Sequence, residues 1–356
     1  TNNESILATA HAFYTTLYET KPTLAAEHDN VLRYVTNTLE NSQSHTLEKP
    51  FEPDELRRAT FRSNRNKTPG SDGIPVEFYQ ATWAAVGPIL LSLLNLVPES
   101  GLRSASQREA HIHLIFKKKG DRDQIANYRP ISLINVDARI FSLAINSRLL
   151  TVVDSLIDGD QTGFLPGRDS GRNISSLQLA IDDEDLLPGV LAQVDFEKAY
   201  DRVSHDFVGP CLSHMGFGPR AAAWITSTMT SQTARLMING WRGQAIHIRS
   251  GVRQGDPAAP TIFALLLEPL ACMLRHRLPP ANPPPLHERK VLLFADDLSI
   301  RCRTWSEVDE ATACLREYEK AAASKLNYQK SLLYPLGSCR TDAPTMYHEW
   351  RVQMLS

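Results

Sequence analysis

The stretch VLLFADDLSI, residues 291–300, decides how the rest of the chain reads. Two adjacent carboxylates, Asp296 and Asp297, interrupt a run that is apolar on both sides. That pattern predicts a strand, a tight turn and a returning strand, with both carboxylates at the hairpin tip. Asp tolerates positive φ less well than Gly, so the pair is not chosen for turn geometry alone. It also sets two like charges beside an apolar sheet, which favours a neutralising cation, and oxygen ligands suit a divalent metal. A solvated acidic turn would give the same string, so the reading depends on what else the chain supplies.

A second carboxylate centre lies in LAQVDFEKAYDRV, residues 191–203, where a short apolar strand runs into Asp195 and an amphipathic segment carries Phe196, Tyr200 and Asp201. Carboxylates from two strands can bridge two divalent ions about 3.5–4 Å apart, a clamp for in-line phosphoryl transfer. Between the two centres stands GVRQGDP, residues 251–257. These three motifs, in this order and spacing, resemble the palm motifs of reverse transcriptases, in the branch of the non-LTR (long interspersed element) retrotransposons. The resemblance covers about residues 5–335.

It implies an α+β right-hand polymerase: a helical extension over residues 1–50, fingers over 51–175 and a palm over 176–356, the palm an antiparallel sheet backed by helices. The chain is expected to stop before the primer-gripping strand and the thumb. The implied reaction is RNA-directed DNA synthesis, in which a DNA primer 3′-hydroxyl attacks a dNTP on an RNA template. Two Mg²⁺ ions, or Mn²⁺ in their place, are then held by Asp195 and Asp296, with Asp297 beside them and the Phe196 carbonyl as a further ligand.

Other segments extend the resemblance. TPGSDGIP, residues 68–75, is a dense turn cluster similar to the first fingers motif, which makes Gly70 and Asp72 template-side residues. Residues 111–116 alternate like a strand and deliver Lys117, Lys118 and Lys119 into a turn before Tyr128, Arg129 and Pro130 return. On their own these are a basic hairpin. In the family such a ribbon contacts the incoming nucleotide, which assigns that role to Arg129 and to Lys117 or Lys118, Arg as a fork and Lys as a point charge.

QTGFLPGR, residues 161–168, resembles a segment bordering the template and nominates Arg168 as a phosphate contact. Tyr200 falls where the family places an aromatic under the sugar, Gln254 and Gly255 where it contacts the template base and nucleotide, and Lys330 where a lysine approaches the triphosphate. Pro-Ala-Ala-Pro at 257–260 departs from the usual Pro-Leu-Ser-Pro. Asp201 has no role beyond local hydrogen bonding.

At 356 residues, 42% apolar and 22% charged, the chain can bury a sizeable core, and disorder is excluded as a default. The five cysteines form no Cys-x-x-Cys pair, which fits a reducing intracellular compartment, and the retrotransposon resemblance implies a nuclear one in a eukaryotic host. His111 and His113 lack a partner at zinc-ligand spacing and read as one face of a strand. A net charge of −2 is not that of a typical nucleic-acid binder, yet residues 101–150 hold nine Lys or Arg against four Asp or Glu.

The acidic run at 182–185 reads as a solvated loop, and the proline cluster at 279–285 as a stiff connection. The longest apolar runs, 84–97 and 261–274, fall short of the roughly 18–20 residues of a membrane span and are broken by Gly87, Pro88 and Asn95 or by Glu268 and Pro269. Neither composition nor motif fixes an oligomeric state. Two rival functions remain: an inactive retroelement remnant that binds RNA, and an RNA-dependent RNA polymerase, against which Tyr200 and the fingers motifs speak.

Overall fold

The structure, a computed structural model, describes residues 2–182, 188–278, 289–341 and 343–354. Most of the acidic run and all of the proline cluster lie outside the described residues. The fold is mixed α+β. Its strands are β1 (Glu109–Phe116), β2 (Tyr128–Ile134), β3 (Gly189–Val194), β4 (Gln232–Ile238), β5 (Trp241–Ile248), β6 (Val291–Phe294), β7 (Asp297–Cys302), β8 (Leu332–Leu336), β9 (Met346–Tyr347) and β10 (Trp350–Val352).

Two compact units emerge, each discontinuous in sequence. One comprises Thr1–Lys21, Leu39–Thr151 and Tyr200–Ile262; the other comprises Pro22–Thr38, Val152–Ala199 and Phe263–Ser356. They interleave along the chain, whereas the segments expected from the sequence are consecutive.

In the first unit the sheet order is β2-β1-β4-β5. The basic ribbon is the antiparallel pair β1–β2, with Ile115 opposite Arg129, and His111 and His113 share one face of β1 as expected. The helix Asn3–Leu17 starts where the Asn2 side chain accepts from the Ser5 amide (2.9 Å), a cap for a donor the helix leaves open. Its Ala10, Tyr14 and Leu17 recur at helical spacing and pack with Ala234, Leu236, Ile246 and Ile248 of the sheet.

The helix Trp83–Ser100 is a correction. It runs without a break through Gly87, Pro88 and Asn95, so 18 residues, not 14, are continuous, and by length and composition alone it would suffice to cross a membrane. Pro88 is tolerated near the start, where few intrahelical bonds are lost. The helix seats Leu90, Leu94 and Val97 in the unit, and Trp224 Nε1 donates to the Leu94 carbonyl (2.8 Å).

In the second unit the sheet order is β6-β7-β3-β8-β10-β9. Pairing is antiparallel from β6 through β8, but β10 joins β8 in parallel, so the expected all-antiparallel sheet is amended at that end. In this sheet Val190, Leu191, Ala192, Val194, Leu298 and Ile300 are buried, while Gln193 and Asp297 are exposed. The helix Trp305–Ala322, capped by Thr304 Oγ1 accepting from the Glu307 amide (3.2 Å), packs Val308, Ala311, Leu315 and Tyr318 inward and backs β3 and β7.

Candidate active site

The hairpin forms as read, with its turn shifted by one residue. Ala295 and Asp296 make the turn, and Asp297 is the first residue of β7, paired with Phe294. Ala295 takes the left-handed conformation (φ 56°), which costs a non-glycine residue roughly 1–2 kcal/mol and so needs outside support. Asp296 is therefore the second turn residue and Asp297 a strand residue, not two residues at a tip.

Continuing the register in which Val194 faces Leu298 sets Asp195 opposite Asp297. Both line an open cleft of about 570 Å³ with Gln193, Ser299, Lys330, Asn173 and an apolar wall that includes Ile174, Leu177 and Leu292. Burial, then the charge of Asp195, pushes the Asp297 carboxyl above its usual range. Lys330 Nζ stands 3.8 Å from Asp195 Oδ2, both side chains largely in solvent, so this contact is a weak ion pair.

Asp195 is held by its backbone at both ends. Its N–H donates to the buried Ser331 Oγ (3.0 Å), and its carbonyl accepts from Asn327 N–H (2.8 Å). Neither Ser331 nor Asn327 was expected here; the signal was their closeness in sequence to Lys330. The bridge between Phe196 and Leu326 makes its hydrogen bonds through Asp195 and Glu197, so the Phe196 carbonyl is not used by it.

Asp195 and Asp297 fit a divalent cation: two facing carboxylates with crowded charge on an open face. Asp296 does not line this cleft, and among the described residues no group of three or more His, Cys, Asp or Glu could hold a metal ion. Of the expected three, Asp195 and Asp297 line the cleft together.

Several expected contacts have other occupations. All five N–H donors of Arg168 go to Asp154 Oδ1 and the carbonyls of Ile157, Asp158 and Gln161, which leaves none for a template phosphate. A Cβ at Gly70 would meet Asn135 Oδ1 at 2.2 Å, so this glycine serves close packing. Asp72 caps its own turn, accepting from the Ile74 amide (3.0 Å).

A Cβ at Gly255 would meet the Ser132 carbonyl at 2.4 Å, and the Gln254 carbonyl accepts from Ser132 N–H (2.8 Å). What Gly255 admits here is β2, not a base. The Gln254 side chain reaches the buried Asp201 (3.5 Å), which also accepts from Tyr18 (3.4 Å), the local hydrogen bonding expected of it. Tyr200 is half-buried, and its carbonyl accepts from Val252 N–H (2.7 Å). On the ribbon, Lys117 Nζ donates to the Ala126 carbonyl (3.1 Å), while Lys118 and Arg129 are exposed.

Paired carboxylates on neighbouring strands over an open cleft are the construction of enzymes that move phosphoryl groups with divalent ions. The chain belongs to the reverse transcriptase (RNA-dependent DNA polymerase) family, which it matches over residues 116–345, in the non-LTR branch that its motifs indicate. It is 30% identical over 342 residues to the transposon TX1 uncharacterized 149 kDa protein of Xenopus laevis, across 95% of this chain and 26% of that protein. Identity is 26% over 298 residues to a retrovirus-related Pol polyprotein from the type-1 retrotransposable element R2 of Popillia japonica (81% of this chain, 40% of that one). It is 24% over 307 residues to the RNA-directed DNA polymerase from mobile element jockey of Drosophila melanogaster (80% and 32%). The chain thus spans less than half the length of these relatives.

Proposed function

We propose that this chain carries out RNA-directed DNA synthesis, adding dNTPs to a primer 3′-hydroxyl on an RNA template. The observation that carries the reading is the facing of Asp195 and Asp297 across β3 and β7, where burial and then the charge of Asp195 raise the Asp297 carboxyl. We assign the sheet bearing them to the palm and the β1–β2 ribbon to the fingers, and Mg²⁺ to the carboxylates, two ions when Asp296 joins the pair. Metal bound there would stabilise charge developing on the transferring phosphate and favour the ionised primer hydroxyl.

The chain's own groups orient and neutralise. Asp195 and Asp297 fix the centre, Ser331 and Asn327 hold Asp195 in place, and Lys330 offers a cation to the departing pyrophosphate. Arg129 and Lys118, exposed on the ribbon, supply cations for the triphosphate, and Tyr200 excludes a ribose 2′-hydroxyl. An intracellular site of action, nuclear in a eukaryote, goes with these substrates.

Asp195→Asn should abolish dNTP incorporation on a primed RNA template while circular dichroism and RNA binding stay unchanged. Equal incorporation by the variant overturns the assignment. A second reading, RNA binding without synthesis, is favoured by the lack of a three-carboxylate cluster among the described residues. An inactive wild-type chain that binds RNA and no divalent ion would decide for it.

A further inference from the structure

We infer that Gln161 is a positioning residue for the β6–β7 hairpin, clamping Ala295 in the left-handed conformation from which the chain presents Asp296 and Asp297. The inference rests on reading those carboxylates as metal-binding groups.

Gln161 is 1% exposed, and its amide closes on one residue of the turn. Oε1 accepts from the Ala295 N–H (2.9 Å), and Nε2 donates to the Ala295 carbonyl (3.2 Å). The same Oε1 accepts from Gly163 N–H (2.9 Å), which fixes the orientation of the amide. Both backbone groups of the one strained turn residue are thus satisfied by one side chain 134 positions away. Ala295 is 5% exposed, so without this partner its polar groups would be buried and unpaired.

The segment carrying Gln161 is itself laid along the edge strand. Gln161 bridges Leu293 in parallel, Thr162 N–H donates to the Leu293 carbonyl (2.9 Å), and Leu293 N–H donates to the Asp160 carbonyl (3.0 Å). Asn173 Nδ2 adds contacts to the carbonyls of Asp160 (3.1 Å) and Leu293 (2.9 Å). A Cβ at Gly163 would meet the Ala295 nitrogen at 2.1 Å, so glycine is needed for the approach. These contacts secure β6, whereas Gln161 grips the turn itself, through both backbone groups of Ala295. A residue that merely filled the edge would not need two opposed hydrogen bonds to one peptide-flanked residue.

The test combines Gln161→Met, which keeps the length and volume of the side chain but not its amide, with Ala295→Gly, since glycine adopts positive φ without support. Manganese affinity is read by electron paramagnetic resonance, hydrogen exchange over residues 291–300 by mass spectrometry, and folding by thermal melting. Gln161→Met is expected to speed exchange in the hairpin and weaken Mn²⁺ binding on the order of tenfold, and adding Ala295→Gly to recover most of that loss. Thr162→Val, which removes a hydroxyl from the same segment but not the clamp, should leave Mn²⁺ affinity as it was.

Equal Mn²⁺ affinity and equal exchange in wild type and Gln161→Met overturn the inference, as does a loss that Ala295→Gly fails to recover or that Thr162→Val reproduces. If Gln161→Met does not fold, Gln161→Glu, which keeps the acceptor and turns a second oxygen on the Ala295 carbonyl, is read by the same comparisons. Should the wild-type chain bind no Mn²⁺ in a manner that Asp195→Asn abolishes, the reading of the site itself has failed, and the inference falls with it.

Discussion

Arg168 directs its whole guanidinium into the fold, bridging Asp154 to three carbonyls of the segment between Ile157 and Gln161. Its side chain is 11% exposed, so these bonds are partly shielded from water. Arg168→Ala should therefore lower unfolding stability by about 1–3 kcal/mol through carbonyls left without donors, with RNA affinity unchanged at fixed salt. Arg168→Lys keeps the charge but not the five-donor fork and should recover little of that stability. Urea unfolding beside RNA titration separates the cases, and a variant that is stable yet binds RNA poorly would restore the phosphate-contact role. The motif QTGFLPGR was legible as a unit of the family, but its chemistry was not. An arginine in a string does not say whether its partners are solvent-side phosphates or carbonyls seven to eleven residues away.

Between elements, the segment 158–163 is tied to the helix Ala259–Arg277 by a buried ionic cluster. Arg275 reaches Asp160 Oδ2 at 2.8 Å and Glu268 Oε1 at 2.7 Å, with the Asp158 amide and Cys272 thiol also on Glu268 Oε1. Burial pushes the Glu268 carboxyl from 4.5 up to about 7 against the pull of Arg275, and the charge of Asp160 adds to the rise. Asp160 is raised too, again by burial first. The unfolded chain sheds the Glu268 proton near 4.5 while the folded chain keeps it to about 7, so stability falls as pH rises through that window. Glu268→Gln should flatten the decline, measured as urea-unfolding free energies on either side of the window; an unchanged slope removes Glu268 as its source. The hairpin of residues 291–300 was legible at this scale from apolar runs on both sides of an Asp pair. Its turn at Ala295 and Asp296 was not, because the support for a left-handed alanine comes from Gln161, which no local pattern announces.

For the whole molecule, a net charge of −2 conceals which cations are available to a polyanion. Of the nine Lys or Arg at 101–150, several are internal. Arg103 is buried on Ser227, Ser142 and the Ala138 carbonyl, Arg108 bonds the Arg103 and Ser231 carbonyls, and Arg148 pairs with Glu55 over the Phe51 ring. Lys118, Lys119 and Arg129 on the ribbon remain exposed, as does Arg122 in the loop between its strands. The sequence count therefore located a basic region but overstated its strength, since burial and pairing are decided by residues such as Glu55 and Ser227 from distant parts of the chain. Each exposed cation that neutralises a phosphate of single-stranded RNA releases a counterion and contributes about 0.7 to the slope of log affinity against log salt. Lys118→Ala and Arg129→Ala should each reduce that slope by about this amount without lowering the melting temperature, whereas Arg103→Ala and Arg148→Ala should lower the melting temperature and leave the slope of the folded protein alone. Fluorescence anisotropy with a short RNA over a salt series reads the slopes. If Lys118→Ala and Arg129→Ala leave it unchanged, the ribbon is not where this chain meets nucleic acid, and its place among the fingers is lost with that contact.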